Sequence, residues 1–355
     1  MKIALLFGGK SAEYEVSLMS AKSIYENIDK KIHDVYLIGI DNKGEFHYFD
    51  GDIKSVADGS WINNVSDAEV VFCSSQKKPG IYSSDINIVF DLVFPVLHGP
   101  FGEDGKLQGL LEISNLAYVG CPVLASAVAM DKDIAKKLFA FEGINQVPHL
   151  TVCSWNNIEK SMIDIEEKLG YPCFVKPANM GSSVGISKAK NRDNLKKAIE
   201  NAFLYDHKLV VEKGINAREI EVSILGNSED IKVSCTGEII PSDEFYDYDA
   251  KYKSNESKLI IPSDISIDDE NEIKKMAQKA YKTINGEGLC RIDFFIDKDT
   301  NEIFLNEVNS MPGFTTISMY PKLWEKSGIS YKELVERLIC LAVERKERED
   351  AKKSK

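Results

Sequence analysis

The chain carries two alternating runs near its carboxyl end, RIDFF at 291–295 and FLNEVN at 304–309, with the polar turn DKDTN at 297–301 between them. Two such runs around a short polar turn predict an antiparallel hairpin. Strand side chains alternate between two faces, so Arg291 and Asp293 share one face of the first strand. Glu307 and Asn309 likewise share one face of the second strand. If these faces coincide, one surface presents a guanidinium, two carboxylates and an amide oxygen.

This hairpin surface could be either a solvated face or a metal–nucleotide site. Acidic side chains on isolated strands are most often simply solvated. Asn and Asp are depleted in strands, however, and here the polar residues stand among Phe304, Leu305 and Val308. Their oxygen atoms suit Mg²⁺, which is usually held by one or two carboxylates together with substrate phosphates. Arg291 could stabilise charge on a transferring phosphoryl or acyl group, so we favour the metal–nucleotide site.

Length and composition limit the class of protein. The 355 residues are enough for two or three domains with ample core. A formal net charge of −12 argues against a general nucleic-acid or anionic-membrane surface. The seven cysteines are scattered and include no C-x-x-C pair, and no apolar run approaches the ~20 residues that span a bilayer. We therefore expect a cytoplasmic protein with reduced thiols.

The amino-terminal part of the chain has the pattern of an open α/β unit. A short apolar run at 3–7 is typical of a buried parallel strand, and a glycine turn and a helix predicted over 16–28 follow it. Glu15 falls in the first turn of that helix, where a carboxylate either complements the helix dipole or belongs to a site. His98 follows a strand predicted at 89–94, at the edge where open α/β sheets bind ligands.

The middle of the chain contains a phosphate-binding pattern. A strand bearing Lys176 precedes a glycine- and serine-rich loop at 181–187, whose backbone N–H groups could approach phosphates. It is not a Walker A loop, because no Gly-Lys-Ser/Thr follows at the required spacing. The strand at 209–214 could end in a hinge that binds adenine. The segment FYDYDAKY at 245–252 is predicted to be a lid, because four aromatic side chains in eight residues are costly to leave in water.

Taken together, these pieces resemble the ATP-grasp fold and, more specifically, the D-alanine–D-alanine ligase family. The resemblance extends over about 2–343 and includes the lid at 245–252. The other motifs that carry it are, in chain order, FGG (7–9), EVS (15–17), LHG (97–99), GEDG (102–105), MDK (130–132), VKP (175–177), GSSVG (181–185), RID (291–293), NEVN (306–309) and PG (312–313).

The resemblance implies an α/β protein of three domains. An N-terminal open parallel α/β domain would occupy 1–125, followed by a small ATP-grasp lobe at 126–218 and a large lobe at 219–345. A lid would lie near 242–262 and a frayed tail at 346–355. The two α+β lobes would grip ATP, with two Mg²⁺ or Mn²⁺ ions, in a cytoplasmic homodimer without nucleic-acid or membrane partners.

The resemblance also implies which residues bind ATP and metal. Lys132 and Lys176 would hold the phosphates, Glu212 would accept from the adenine amino group, and Glu219 would bind the ribose. The wider ATP-binding set comprises Ser182, Ser183, Lys213, Ile215, Lys251, Phe295 and Asn306. The expected metal ligands are Asp293, Glu307 and Asn309, with Glu307 bridging the two ions.

On the amino-acid side, the resemblance implies that Glu15 binds the ammonium of the first D-alanine close to His98. Ser182 and Tyr252 would link the lid to Glu15, and Lys251 would face the γ-phosphate. The remaining residues concern the second substrate and the reaction: Ser318 for its carboxylate, Arg291 and the backbone N–H near Gly313 for the oxyanion, and Met319 for its side chain.

The implied activity is the ATP-dependent ligation of two D-alanines through D-alanyl phosphate, for peptidoglycan precursor synthesis. Ligases for D-serine or D-lactate are alternatives within the family. The thioether of Met319 is a poor partner for a serine hydroxyl, which favours D-alanine. A ligase for unrelated carboxylates is a further alternative. A non-catalytic nucleotide- or amino-acid-binding module is the alternative outside enzymes, and the intact set of site residues argues against it.

Overall fold

The computed structural model describes residues 1–65, 70–73, 80–82, 87–228, 230–240 and 258–353. The predicted lid residues at 245–252, including Lys251 and Tyr252, lie outside these ranges. The strands, in chain order, are β1 (Lys2–Gly8), β2 (Asp34–Ile40), β3 (Phe46–Phe49), β4 (Val71–Cys73), β5 (Gly80–Tyr82), β6 (Asn87–Val89), β7 (Leu92–Pro95), β8 (Ala117–Tyr118), β9 (His149–Cys153), β10 (Cys173–Pro177), β11 (Ser187–Ala189), β12 (Lys208–Lys213), β13 (Ala217–Gly226), β14 (Lys232–Val233), β15 (Gly237–Ile240), β16 (Lys258–Ile260), β17 (Gly288–Asp297) and β18 (Ile303–Asn309).

The helices of the described residues pack against these strands. In chain order they are α1 (Tyr14–Asn27), α2 (Ile53–Ala57), α3 (Lys106–Ile113), α4 (Val123–Met130), α5 (Lys132–Phe141), α6 (Ile158–Lys168), α7 (Arg192–Ala202), α8 (Ile267–Thr283), α9 (Met319–Lys326) and α10 (Tyr331–Lys353), with a 3₁₀ turn at Ser60–Asn64. None of these described helices combines the length and apolar character needed to cross a bilayer.

The first sheet has the strand order β3-β2-β1-β7-β8, with β1 parallel to β2 and β7, and β7 parallel to β8. The core residues of β1 have zero exposure, as expected for a parallel strand covered on both faces. The single strand predicted at 89–94 is instead β6 and β7. The strand is divided because β6 pairs with β5 while β7 pairs with β1, and between them the Asp91 carboxylate accepts from the Lys2 backbone N–H at 2.7 Å.

The second and third sheets are antiparallel and form the two lobes of the cleft. The second has the order β11-β10-β12-β9, and the third has the order β16-β15-β13-β17-β18 with β14 beside β13. Helices α6 and α7 bury one face of the second sheet, and α8 buries one face of the third. The other two faces remain available to line a site. Part of the predicted lid at 242–262 is in fact the edge strand β16.

The carboxyl-terminal helix α10 packs back on the first sheet. Its apolar residues share a core with α1 and β7. The guanidinium of Arg345 is buried and donates to the backbone oxygens of Gly120 and Tyr118. The tail predicted to fray at 346–355 is helical to Lys353, because Lys346 pairs with Asp350 and Arg348 with Glu287. The domain boundaries stay a prediction. The three main sheets agree with three domains, but α10, which the prediction assigns to the large lobe, packs on the sheet of the first domain.

Candidate active site

Two cavities meet between the sheets. The larger cavity, of about 740 Å³, is lined by the open faces of the second and third sheets. The smaller cavity, of about 400 Å³, is lined by the third sheet and by loops that follow β7, β10 and β18. The residues that line both cavities are Lys132, Met180, Gly181, Ser182 and Glu307. A ligand in the larger cavity can therefore reach the contents of the smaller one.

The larger cavity gathers the residues predicted to bind ATP. Those of them that the structure describes all line it: Lys132, Lys176, Ser182, Ser183, Glu212, Lys213, Ile215, Glu219, Phe295 and Asn306. Lys188 and Lys298 add two further ammonium groups to its wall. So many cations on one concave surface suit a ligand with several negative charges.

Glu212 anchors a buried charge cluster in this wall. Its carboxylate lies 2.6 Å from the Lys176 ammonium and 2.8 Å from the Lys136 ammonium. Glu212 is paired with Phe174 across the strands, so Lys176 is its diagonal neighbour on the same face. Burial alone would raise the pKa of Glu212, but the two ammonium groups outweigh burial and hold the pKa far below its usual range. The adenine acceptor predicted from sequence is therefore an ionised group with two cationic partners.

Lys132 stands where the two cavities join. The Asp131 side chain caps the start of α5 by accepting from the Ile134 backbone N–H, and Lys132 is the first residue of the helix. Its ammonium donates to the Met180 backbone oxygen at 2.6 Å. Burial lowers the pKa of Lys132, against the opposing attraction of Glu307. This position supports the predicted contact of Lys132 with phosphate.

The glycine- and serine-rich loop separates the two cavities and has an unusual backbone. Ser182 and Ser183 have φ angles of 49° and 61°, in the left-handed region. Such a conformation costs a residue with a side chain ~1 kcal/mol or more. The neighbouring Gly181 lies close to the Glu13 carboxylate, since a Cβ on that glycine would be 3.2 Å from its Oε2 atom. The strained residues face the site, since Ser182 lines both cavities and Ser183 lines the larger one.

The predicted hairpin is confirmed, with the predicted face. Arg291 is paired with Asn309 and Asp293 with Glu307. A β-bulge after Asp293 shifts the register, so that Leu305 rather than Asn306 is paired with Phe294. Neighbours on a regular strand point to opposite faces, yet Asn306 and Glu307 both line the larger cavity. The bulge accounts for this, and the sequence did not predict it.

Arg291 and Asp293 form a two-point ion pair in the floor of the site. The Arg291 Nε and an Nη atom donate to the two Asp293 oxygens at 2.7 and 2.6 Å. Asn309 donates to the same carboxylate at 3.0 Å. Glu221, two residues after Glu219 on the same face of β13, lies 3.1 Å from the Arg291 Nε. Glu221 lines the smaller cavity and was missed, although the alternation from Glu219 could have found it.

The prediction for Glu15 needs a correction. Glu15 is exposed on the first turn of α1, whereas Glu13 is buried and lines the smaller cavity. Gly99 also lies against the Glu13 carboxylate, since a Cβ there would be 3.0 Å from its Oε2. The two glutamates are two residues apart around a helix start, so they point in different directions. The structure brings Glu13, and not Glu15, to the site.

Two titratable groups from the loop after β7 stand beside Glu13. His98 is buried, and its Nδ1 donates to the Met311 backbone oxygen at 3.0 Å, which leaves Nε2 as the acceptor of a neutral imidazole. Burial lowers the pKa of His98, against the attraction of Glu13. Glu103 accepts from the Gly99 backbone N–H at 2.8 Å. Burial and then the Glu13 charge raise the pKa of Glu103 to about 8. The sequence predicted that His98 belongs to the site, but it did not predict that Glu103 lines the same cavity.

The far end of the smaller cavity is built around the start of α9. Ser318 directly precedes this helix, and its hydroxyl accepts from the Thr315 backbone N–H at 3.0 Å. Gly313 leaves room for that hydroxyl, which would lie 2.8 Å from a Cβ at this position. Met319 is buried with Ile239 and Leu323 while also lining the cavity. The predicted residues Ser318, Gly313 and Met319 are thus brought together with Arg291.

Two antiparallel lobes around a lysine-rich cleft, joined to an open parallel domain, define an ATP-grasp protein with a site for small charged substrates. Two family models match the chain: the D-ala D-ala ligase N-terminus over 2–121 and the D-ala D-ala ligase C-terminus over 138–340. The chain belongs to the D-alanine–D-alanine ligase family.

Individual relatives agree with this assignment. The D-alanine–D-alanine ligase of Heliobacterium modesticaldum is 49% identical over 97% of this chain and 94% of its own length. That of Caldicellulosiruptor bescii is 50% identical over 97% and 96%. Among solved structures, the VanG D-Ala:D-Ser ligase from Enterococcus faecalis has a TM-score of 0.88 at 39% identity, covering 96% of this chain and 99% of that one. The D-alanine-D-alanine ligase from Coxiella burnetii has a TM-score of 0.87 at 33% identity, covering 99% and 96%.

Proposed function

We propose that this protein joins two D-alanine molecules into D-alanyl-D-alanine for peptidoglycan precursor synthesis, with ATP converted to ADP and phosphate. The observation that carries the proposal is the meeting of the two cavities at Lys132, Ser182 and Glu307. It sets a phosphate-binding space against a space lined by both acidic and basic groups, as zwitterionic substrates require. Relatives named D-alanine–D-alanine ligase over nearly the whole chain favour D-alanine over the D-serine alternative. We expect the enzyme to be a cytoplasmic homodimer.

ATP would occupy the larger cavity. Lys132 and Lys176 would contact its phosphates, Glu212 would accept from the adenine amino group, and Glu219 would bind the ribose. The other wall residues already named would enclose the nucleotide, and Lys251 would approach the γ-phosphate from the lid. The support for this arrangement is that the described members of the set line one continuous cavity.

The proposal includes two divalent cations, Mg²⁺ or Mn²⁺. Asp293, Glu307 and Asn309 present oxygen atoms on paired strands, and such hard donors are the ligands that Mg²⁺ prefers. Glu307 lines both cavities, which fits a ligand position beside the transferred phosphoryl group. When bound, such ions would neutralise the crowded phosphate oxygens.

The first D-alanine would bind with its ammonium against Glu13 and its carboxylate toward Lys132. That carboxylate attacks the γ-phosphate, so that D-alanyl phosphate and ADP form. Ser182 and Tyr252 would connect the lid to Glu13, in place of the predicted Glu15. The closed lid would exclude water, which otherwise hydrolyses the acyl phosphate.

The second D-alanine would bind with its carboxylate at Ser318, where the N-terminus of α9 also favours an anion. Its amine attacks the acyl carbon. Arg291 and the Gly313 backbone N–H would stabilise the negative oxygen of the tetrahedral intermediate. Phosphate then leaves and the dipeptide remains. Met319 would meet the methyl group of this second substrate.

Product analysis by mass spectrometry tests the proposal. Purified protein with ATP and Mg²⁺ would receive D-alanine alone, and then D-alanine in competition with D-serine or D-lactate. We expect D-alanyl-D-alanine to predominate in every mixture. Predominant D-alanyl-D-serine would contradict the role of Met319 and favour the activity named for the VanG structure. No product from any mixture would instead support a non-catalytic binding module.

A further inference from the structure

Glu212 pairs with two lysines, Lys136 and Lys176, although a single ammonium group would balance the charge of its carboxylate. The side chains of Glu212 and Lys136 are only 4% and 3% exposed, and that of Lys176 is 13% exposed. Lys176 and Glu212 line the larger cavity. Lys136 reaches the same carboxylate from α5 and contacts its other oxygen atom. The two lysines therefore hold Glu212 from different elements of the fold.

Lys176 has two proposed roles, as a counter-ion of Glu212 and as a contact for an ATP phosphate, and these roles would conflict if Glu212 had no other counter-ion. Leaving a buried carboxylate without a counter-ion costs several kcal/mol. If Lys176 were the only partner of Glu212, its movement toward a phosphate would leave that carboxylate uncompensated. Glu212 would then either take up a proton or hold Lys176 back. With Lys136 in place, one ammonium stays with Glu212 while the other is free to move.

We propose that Lys136 is a positioning residue for nucleotide binding. It is the permanent counter-ion of Glu212, and it releases Lys176 to the ATP phosphates. It also keeps Glu212 ionised, so that the carboxylate accepts an N–H from the adenine amino group and disfavours the carbonyl that guanine presents there. This inference rests on the proposed binding of ATP in the larger cavity.

The neighbouring lysine on α5 is a matched control. Lys137 pairs with the buried Asp133, which Lys208 and Thr151 also contact, and the Lys137 side chain itself is 62% exposed. Lys137→Met therefore removes the same charge from the same helix without touching Glu212. A comparison of Lys136→Met with Lys137→Met separates the buried contact from a general loss of positive charge on α5.

Calorimetric titration with ATP or GTP in the absence of D-alanine measures the effect directly. We expect Lys136→Met to weaken ATP binding at least tenfold and to narrow the preference for ATP over GTP, while Lys137→Met changes neither. In turnover, KM for ATP should rise and KM for D-alanine should stay within about twofold. Lys136→Arg should restore most of the ATP affinity. Unchanged ATP affinity in Lys136→Met would overturn the proposal.

A second comparison tests whether Lys136 acts on ATP binding through Glu212 or independently of it. It also shows whether a folding defect in Lys136→Met explains the loss of ATP binding. In the background of Glu212→Gln, the side chain at position 212 is a neutral amide that needs no counter-ion, so adding Lys136→Met should weaken ATP binding less than twofold further. A further tenfold loss would show that Lys136 acts without Glu212, contrary to the proposal. Failure of the wild-type protein to bind ATP at all would refute the proposed function itself, and that result is separate from any difference between variants.

Discussion

The two cavities differ in how their walls are built. Most of the predicted ATP-binding residues that line the larger cavity lie on paired strands, among them Lys176, Glu212, Glu219 and Phe295. The smaller cavity is lined mostly by loop residues that converge from distant parts of the chain, such as Glu13. The first wall carries five lysines among its acidic side chains, whereas the second concentrates glutamates around one arginine.

This difference decides what each cavity can do and how well it can be predicted. Strand residues are held in place by a hydrogen-bonded register, so their faces follow from a period of two. Loop residues are placed by contacts with other loops, as when His98 donates to the Met311 backbone oxygen. A residue shared by both cavities should therefore have the largest effect on activity, and a residue confined to one should affect one substrate.

Glu307 lines both cavities, and its loss should have the largest effect. Glu307→Gln keeps the shape of the side chain but removes the charge of a proposed metal ligand. We expect ADP formation to fall by about 10²- to 10³-fold or more, the range seen when one group that stabilises a transition state is removed. Steady-state ADP release measures turnover, and circular dichroism checks that the protein is folded. Near-normal turnover would contradict the metal assignment.

Substitutions of Glu13 and Glu15 test whether Glu13, and not Glu15, binds the substrate ammonium. Glu13→Gln should raise KM for D-alanine by about tenfold or more, because it removes the charge opposite the ammonium. ATP affinity should change little, since Glu13 does not line the larger cavity in the described part of the chain. Glu15→Gln, two residues away and exposed, is the matched control and should leave both constants nearly unchanged. The reverse pattern would restore the original prediction for Glu15.

Titration of Glu103, which lines the smaller cavity, should make the free energy of unfolding depend on pH. Its pKa in the folded protein is raised to about 8 from a usual value near 4.5. The folded state therefore holds its proton more tightly, and the stability that this provides is present below about pH 4.5 and is lost as the pH rises through about 8. Glu103→Gln should remove this dependence, so the Tm of the variant should fall less than that of the wild type between pH 6 and pH 9. If the Tm of both proteins changed equally with pH, the raised pKa of Glu103 would be contradicted.

Substitution of Met319 should change the selectivity for the second substrate rather than the overall rate. Met319→Arg introduces a donor that a serine hydroxyl could use, and contacts of this kind shift selectivity by about 10- to 100-fold. Competition between D-alanine and D-serine, measured by mass spectrometry of the products, should therefore move toward D-alanyl-D-serine. Met319→Leu keeps the apolar contact and is the control, with an unchanged product ratio. If neither variant changes the ratio, the selectivity for the second substrate lies elsewhere in the smaller cavity.

Much of the fold followed from local patterns. The parallel opening and the hairpin of β17 and β18 lie close to their predicted bounds, because apolar periodicity is strong there. The family assignment is confirmed by the models that match most of the chain. Helix α9 was not predicted, since Pro321 interrupts its apolar pattern.

The sequence by itself determined the chemistry that each strand can present, because the alternation of side chains is a local property of the backbone. It placed Arg291 and Asp293 on one face, and Glu307 and Asn309 opposite them, before any contact was known. Only the tertiary structure decided that Glu13 rather than Glu15 enters the site. It also decided that Lys136 reaches Glu212 from α5 and that a bulge lets Asn306 line the same cavity as Glu307. These arrangements depend on the packing of separate elements, which no local pattern specifies.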